Sequence, residues 1–197
     1  MTQNRLPSAN LALVAIGGNL PSLAGPPEAT IRAAVEQIIQ LPGVVLSSLS
    51  RFWKTPAFPA GSGPDYVNAA LSLQTVNSPD ELLSALHRIE HDLGRVREGA
   101  RWQARGIDLD LIAYGDLVLP DLATHDAWRG LPPERQAETA PETLILPHAR
   151  MQDRGFVLVP LAEVAPGWRH PRLGRSVAEM LAALPADARA DIRALTT

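Results

Sequence analysis

Two aspartates one residue apart, Asp108 and Asp110, close a segment crowded with arginine: Arg95, Arg97, Arg101 and Arg105. Carboxylate oxygens suit a hard divalent cation. Mg²⁺ takes one or two of them and completes its shell with phosphate oxygens and water. Neighbouring carboxylates repel unless cations lie between them. Guanidinium groups offer a planar fork that matches phosphate oxygens. This pairing of residue types points to chemistry on a phosphate chain, assisted by metal.

The chain around the aspartates explains how they would be held. Ile107 to Ile112 alternates, which is the pattern of a half-buried strand. Asp108 and Asp110 then share one face, roughly 6.5–7 Å apart, with Ile107, Leu109 and Leu111 on the other. A helix runs up to Gly94, and a glycine-containing loop carries the arginines to the strand. Aspartate is poorly suited to a strand interior, so two of them need a reason. The bland alternatives are an exposed strand face and a solvated charged loop.

Upstream, Leu11 to Ile16 is a continuous apolar run that reads as a central strand, ended by Gly17-Gly18-Asn19. Pro26-Pro27-Glu28 opens a helix with Ile31, Ala34, Val35, Ile38 and Ile39 on one side, and Pro42-Gly43 stops it. Val44 to Trp53 reads as a second strand. The segment Thr55 to Pro64 holds too much proline and glycine for regular structure. Tyr66 to Thr75 is a third strand. Ser78 is an N-cap, with Glu81 completing a capping box for a helix to Leu93. Ile107 to Tyr114 is the fourth. The order β-α-β-β-α-β predicts an α+β, ferredoxin-like sandwich. Beyond it come a short hairpin strand, Leu117 to Leu119, an insertion over 120–142, a helix from Arg154 to Val164 and a last helix from Ser176 to Leu184. Residues 1–10 read as a polar leader, and 11–197 as a single domain.

The chain has 197 residues, of which 46% are hydrophobic and 20% charged, enough for one core. The net charge of −3 argues against a dedicated nucleic-acid binder. There is no cysteine, which excludes disulfides and thiolate metal sites and is natural in the cytoplasm. No run approaches the ~20 apolar residues of a membrane span, and the N-terminus lacks a signal-peptide pattern.

Three further clusters carry chemistry. Thr55-Pro56 and Tyr66-Val67-Asn68 set an aromatic ring and an amide beside a loop, and an amide that both donates and accepts suits a heterocycle edge. His148, near Arg150 and Arg154, is compatible with phosphate contact. Trp102 could be surface hydrophobe or a plate for a flat ring. Gly17-Gly18 matches neither common phosphate-loop pattern.

Four ordered blocks resemble the 6-hydroxymethyl-7,8-dihydropterin pyrophosphokinase family: Ala15 to Leu20; Phe52 to Pro56 with Asp65 to Ala69; Ile89-Glu90 through Asp110; and Pro147-His148 with Met151, Arg154 to Leu158 and Pro160-Leu161. The resemblance runs from about Leu11 to Pro171. It implies a ferredoxin-like enzyme of folate synthesis that moves the β,γ-pyrophosphoryl unit of ATP to the pterin hydroxymethyl oxygen and releases AMP. It implies that Asp108 and Asp110 hold two Mg²⁺ ions. Arg95 and Arg105 would neutralise the transferring group, with Arg97, His148 and Arg154 on other phosphate oxygens. Glu90 would contact the nucleotide and Trp102 would help close the loop. Tyr66 and Phe156 would sandwich the pterin, with Asn68 and the backbone from Thr55 through Pro56 to Phe58 reading its polar edge. The enzyme is expected to act as a monomer, without nucleic acid or membrane. The chain departs from the usual pattern at Gly18, Ala104, Thr143, Ile145 and Ala149.

A nucleotidyltransferase would also use an Asp-x-Asp pair, but its glycine turn lies shortly before the acids, whereas Gly17-Gly18 lies far upstream. A binding paralogue would not need Arg95, Arg105, Asp108 and Asp110 together. An RNA-binding ferredoxin-like domain would need a basic face with exposed aromatics.

Overall fold

The computed structural model describes residues 9–57, 63–95, 106–132, 135 and 139–196. The expected polar leader lies almost wholly outside them. The first half of the chain forms β1 (Asn10–Gly18), α1 (Pro27–Ile39), β2 (Val44–Leu49), β3 (Trp53–Thr55), β4 (Tyr66–Thr75), α2 (Pro79–Asp92) and β5 (Asp108–Tyr114). The second half adds α3 (Leu122–Gly130), α4 (Gly155–Val164), α5 (Val177–Ala183), α6 (Asp187–Ala190) and β6 (Arg193–Ala194). The strands make one antiparallel sheet. β4 lies at its centre, with β1 and then β5 on one side and β2 and β3 sharing the other; β6 pairs with β3. This is the expected ferredoxin-like order, extended at one edge.

The signals at the helix starts act as their residue types require. The Ser78 hydroxyl accepts from Glu81 N at 3.3 Å, and the Glu81 carboxylate accepts from Ser78 N at 2.8 Å. Ser176 and Glu179 repeat the device at α5. At the end of α2, Gly94 takes φ +91°, open to glycine at little cost. Gly94 N then donates to His91 O at 2.9 Å and Arg95 N to Glu90 O at 3.0 Å. That paired closure turns the chain sharply while satisfying two helix carbonyls.

Three expectations are corrected, and the insertion gains an element. Val44 to Trp53 is not one strand. β2 stops at Leu49 because the Ser50 hydroxyl takes the ladder bond from Ala70 N at 2.9 Å, and the chain breaks over Arg51-Phe52 before β3 resumes. Gly17 and Gly18 do not end the first strand; they are its last residues. Leu117 to Leu119 forms no hairpin strand: Leu119 alone bridges to Leu146 across the insertion. The insertion itself holds α3, whose start is capped by Asp121 accepting from Thr124 N at 2.9 Å.

α1 and α2 cover one face of the sheet, packing Ile31, Ile38, Leu82 and Leu86 on Val14, Ile16, Leu71 and Leu109. α4 and α5 cover part of the other, packing Val157, Leu158, Leu161 and Val177 on Leu13, Ala70 and Ile112. A bulge in β5 lets Ile112 and Ala113 both serve this second core, while Leu109 and Leu111 serve the first. Among the described residues no helix is long and apolar enough to cross a membrane.

Candidate active site

On the face carrying α4, one cross-strand row runs Asp108, Gly17, Asn68, Trp53. The next row runs Asp110, Ala15, Ala70, and Tyr66 pairs with Thr55 at the other side. Residues opposite one another in a ladder point the same way. Asp108, Asp110, Asn68, Tyr66 and Thr55 therefore share one face of the sheet, as the alternation in β5 and β4 predicts. Asn68 is buried and its amide donates to Thr55 Oγ1 at 2.7 Å. Gly17 makes room for it: a Cβ there would lie 2.5 Å from Asn68 Oδ1. In the sequence Gly17 reads only as part of the Gly17-Gly18-Asn19 end of the strand, which does not show this role. Its position two residues after Ala15 on an apolar strand was the available signal.

Arg95 joins α2 to β5. The helix closure at Gly94 folds its side chain back so that Nη1 donates both to Glu90 Oε1 and, at 2.6 Å, to Asp108 Oδ1. Glu90 is 1% exposed, and the same oxygen accepts from Leu109 N at 2.7 Å. The structure thus places Glu90 beneath Arg95, tying the helix end to the aspartate strand. Burial works against the Arg95 charge, but Asp108 and Glu90 outweigh it and hold the guanidinium pKa above its ordinary value.

His148 and Arg154 complete the polar cluster. His148 N donates to Ile112 O at 2.8 Å, which sets the segment against β5. The ring nitrogen Nδ1 accepts from Arg150 N at 3.1 Å, so the proton of the neutral ring sits on Nε2. Burial and the Arg154 charge push the His148 pKa down to about 3, with Asp108 opposing, so the ring is neutral at pH 7. Arg154 is the N-cap residue of α4. Burial lowers its pKa and Arg150 adds to that, while Asp110 and Asp108 offset part of it. A buried guanidinium so placed gains from an arriving anion. Its Cζ lies 5.6 Å from the ring centre of Phe156, which is 40% exposed in the first turn of α4.

The structure therefore brings Arg95, Asp108, Asp110, His148 and Arg154 into one electrostatic cluster, with Asn68, Thr55 and Tyr66 on the same sheet face. Pro56 follows β3 directly. Phe58, Arg97, Trp102 and Arg105 lie outside the described residues. Of the departures from the family pattern, Ile145 is buried at 7% exposure and faces inward, while Thr143 is exposed.

Asp108 and Asp110 offer oxygen donors only, the kind Mg²⁺ prefers. Among the described residues no group of three or more His, Cys, Asp or Glu could enclose a metal. An ion on this pair would draw the rest of its shell from substrate oxygens and water, which fits a metal that arrives with a phosphate chain.

Proteins of known identity are similar to this chain. The 2-amino-4-hydroxy-6-hydroxymethyldihydropteridine pyrophosphokinase of Synechocystis sp. is 36% identical over 170 residues, spanning 86% of this chain and 74% of that protein. The Pseudomonas aeruginosa protein of the same name is 36% identical over 172 residues, spanning 87% and 90%. The crystal structure of wild-type Plasmodium falciparum HPPK-DHPS superposes with a TM-score of 0.60 at 13% identity, covering 91% of this chain. This chain spans 45% of that longer one, and the likeness is of fold. Residues 13–166 match the family described as 7,8-dihydro-6-hydroxymethylpterin-pyrophosphokinase (HPPK), and the chain belongs to that family.

Proposed function

We propose that this chain transfers the β,γ-pyrophosphoryl group of ATP to the hydroxymethyl oxygen of 6-hydroxymethyl-7,8-dihydropterin, a step of folate biosynthesis. The hydroxymethyl oxygen attacks the β-phosphorus, the bond from that phosphorus to the α,β-bridging oxygen breaks, and AMP leaves. The observation that carries the reading is the shared face of Asp108, Asp110 and Asn68, with Arg95, His148 and Arg154 around the aspartates, in a chain of this family.

Two Mg²⁺ ions, when bound through Asp108 and Asp110, would neutralise charge on the phosphate oxygens. The protein's own groups do the rest by alignment and charge stabilisation, which is what phosphoryl transfer demands. Arg95, held by Glu90, has a fixed guanidinium aimed at the aspartates. Arg105 supplies the second catalytic cation, and Arg97 a further phosphate contact. His148 donates from Nε2 to a phosphate oxygen, since Nδ1 is engaged by Arg150 N. Arg154 gains an anion that offsets its burial. Tyr66 and Phe156 stack on the pterin ring, Asn68 and the Thr55 to Phe58 backbone read its polar edge, and Trp102 closes over both substrates. Water must be kept from ATP, which is the task of the segments flanking the site. The enzyme acts as a monomer in the cytoplasm, a setting the absence of cysteine supports.

The test is an end-point assay with ATP, Mg²⁺ and 6-hydroxymethyl-7,8-dihydropterin that resolves AMP from ADP and pyrophosphate. AMP should form in step with a diphosphorylated pterin. Release of ADP or free pyrophosphate in its place would overturn the reaction.

A further inference from the structure

α3, in the insertion between β5 and the Pro147-His148 segment, helps bury two imidazoles. His125 on α3 and His170 ahead of α5 are each 0% exposed, with ring centres 5.8 Å apart. Nε2 of His125 lies 2.9 Å from Pro147 O, which can only accept, so Nε2 carries the proton and donates. Nδ1 of His125 is then an acceptor, buried and without a hydrogen-bond partner, with Asp126 Oδ1 3.8 Å away. Nδ1 of His170 accepts from Arg172 N at 3.1 Å and Leu173 N at 3.4 Å, so its proton is on Nε2, which is also buried and unpartnered. The two orphan atoms are complementary, one donor and one acceptor. Around them, Trp168 packs on His170 at 5.9 Å and the Asp126 carboxylate accepts from Arg172, fastening α3 to the segment before α5.

Pro147 immediately precedes His148. The segment is tied by Leu119 N to Leu146 O at 2.8 Å, Leu146 N to Leu119 O at 3.2 Å and His148 N to Ile112 O at 2.8 Å. The bond from His125 to the Pro147 carbonyl adds a side-chain tie from another element. Burying two half-satisfied imidazoles is costly where an apolar pair would pack. Such a cost is better matched to fixing a position than to adding stability.

We infer that His125 is a positioning residue for the nucleotide: through the Pro147 carbonyl it fixes the direction in which His148 presents its Nε2 proton. The inference rests on the proposed role of His148 as a phosphate contact. The insertion is then a brace for the phosphate site.

The experiment compares the full-length wild type with His125→Met and His125→Gln. It measures steady-state kinetics, α,β-methylene-ATP binding by calorimetry, and melting temperature. His125→Met should raise KM for ATP and Kd for the analogue about tenfold, as losing ~1.4 kcal/mol would. kcat and KM for the pterin should stay within about twofold, the pattern of lost uniform binding. His125→Gln keeps an N–H that reaches the same carbonyl and should restore affinity, even if both variants melt earlier. Wild-type affinity in His125→Met would overturn the inference, as would equal weakening in His125→Gln. Should His125→Met not fold, His125→Asn, whose shorter amide stops short of Pro147 O, takes its place. A wild type that binds the analogue without turnover would overturn the functional reading alone, and the analogue affinities would still decide the role of His125.

Discussion

The two faces of the sheet are made by alternate residues of the same strands and do opposite things. Under α1 and α2, the sheet residues Val14, Ile16, Leu71, Leu73 and Leu109 and the helix residues Ile31, Ile38, Leu82 and Leu86 are each no more than 1% exposed. The other face carries its apolar core where α4 and α5 lie. Beyond them it becomes Asp108, Gly17 and Asn68, residues that strands disfavour or that leave a gap, with Tyr66 beside them. The closed face is core along the whole sheet, while the other face carries a second core under α4 and α5 and, beside it, two neighbouring carboxylates and a strand glycine. Function and folding free energy are thus separable by a single residue's step along β1, β4 or β5.

Substitutions on either face should break that separation in different observables. Asp110→Ala has the largest expected effect: turnover falls on the order of 10³-fold while the melting profile is unchanged. Normal turnover with an unaltered melt would sink the metal assignment. On the closed face, Leu86→Ala should cost about 2–5 kcal/mol in denaturant unfolding, with kcat per folded molecule intact. A matching loss of kcat would mean that the faces are coupled.

Acid should expose the polar side of the molecule next. The folded-state pKa values of His148 and His170 are about 3 and about 4, both lowered chiefly by burial. Below an ordinary value of about 6.5, the unfolded chain takes up protons that the folded chain refuses. Stability should therefore fall as pH drops from about 6.5, by up to about 1.4 kcal/mol per pH unit for each histidine, and be flat above it. Melting temperature against pH from 7.5 to 4.5 measures this, and His170→Phe should flatten the slope. An unchanged slope would show that His170 is not held neutral. The smallest effect sharpens the comparison on β1. Gly17→Ala should push Asn68 aside and raise KM for the pterin about tenfold with little change in kcat, as for a lost neutral hydrogen bond of ~1.4 kcal/mol. Unaltered pterin affinity would remove Asn68 from the recognition of that ring.

The elements whose causes are local were legible in the chain. The Ser78–Glu81 box, the Gly94 stop and the alternation through Asp108 and Asp110 each depend on a few adjacent residues, and the structure has them where the spacing put them. What escaped depends on distant partners. The break after Leu49 requires Ala70 to bond the Ser50 hydroxyl. β6 exists because Trp53 and Lys54 offer it an edge. At the site, the aspartate face and the Thr55–Asn68 contact follow from two strand patterns. The clamp of Glu90 on Arg95, the fit of Gly17 under Asn68 and the pairing of His125 with His170 are set by packing that no window of sequence contains. α3 differs: its Asp121 cap is local, but it stands in a segment where Pro120, Pro132, Pro133 and Pro141 and many polar residues blur any helical period.

The pairing of β1 with β4 has a kinetic consequence. Its register runs from Asn10 opposite Thr75 to Gly18 opposite Val67, so every rung closes a long loop. Non-local pairing of this kind is slow, because chain entropy is lost before the contacts reward it. α1 and α2 can form and collapse earlier from their own caps and apolar stripes. The row Asp108, Gly17, Asn68 exists only once β1 has settled between β4 and β5. In refolding, catalytic competence should therefore be among the last properties to return, trailing helix content, and its recovery reports the docking of one strand.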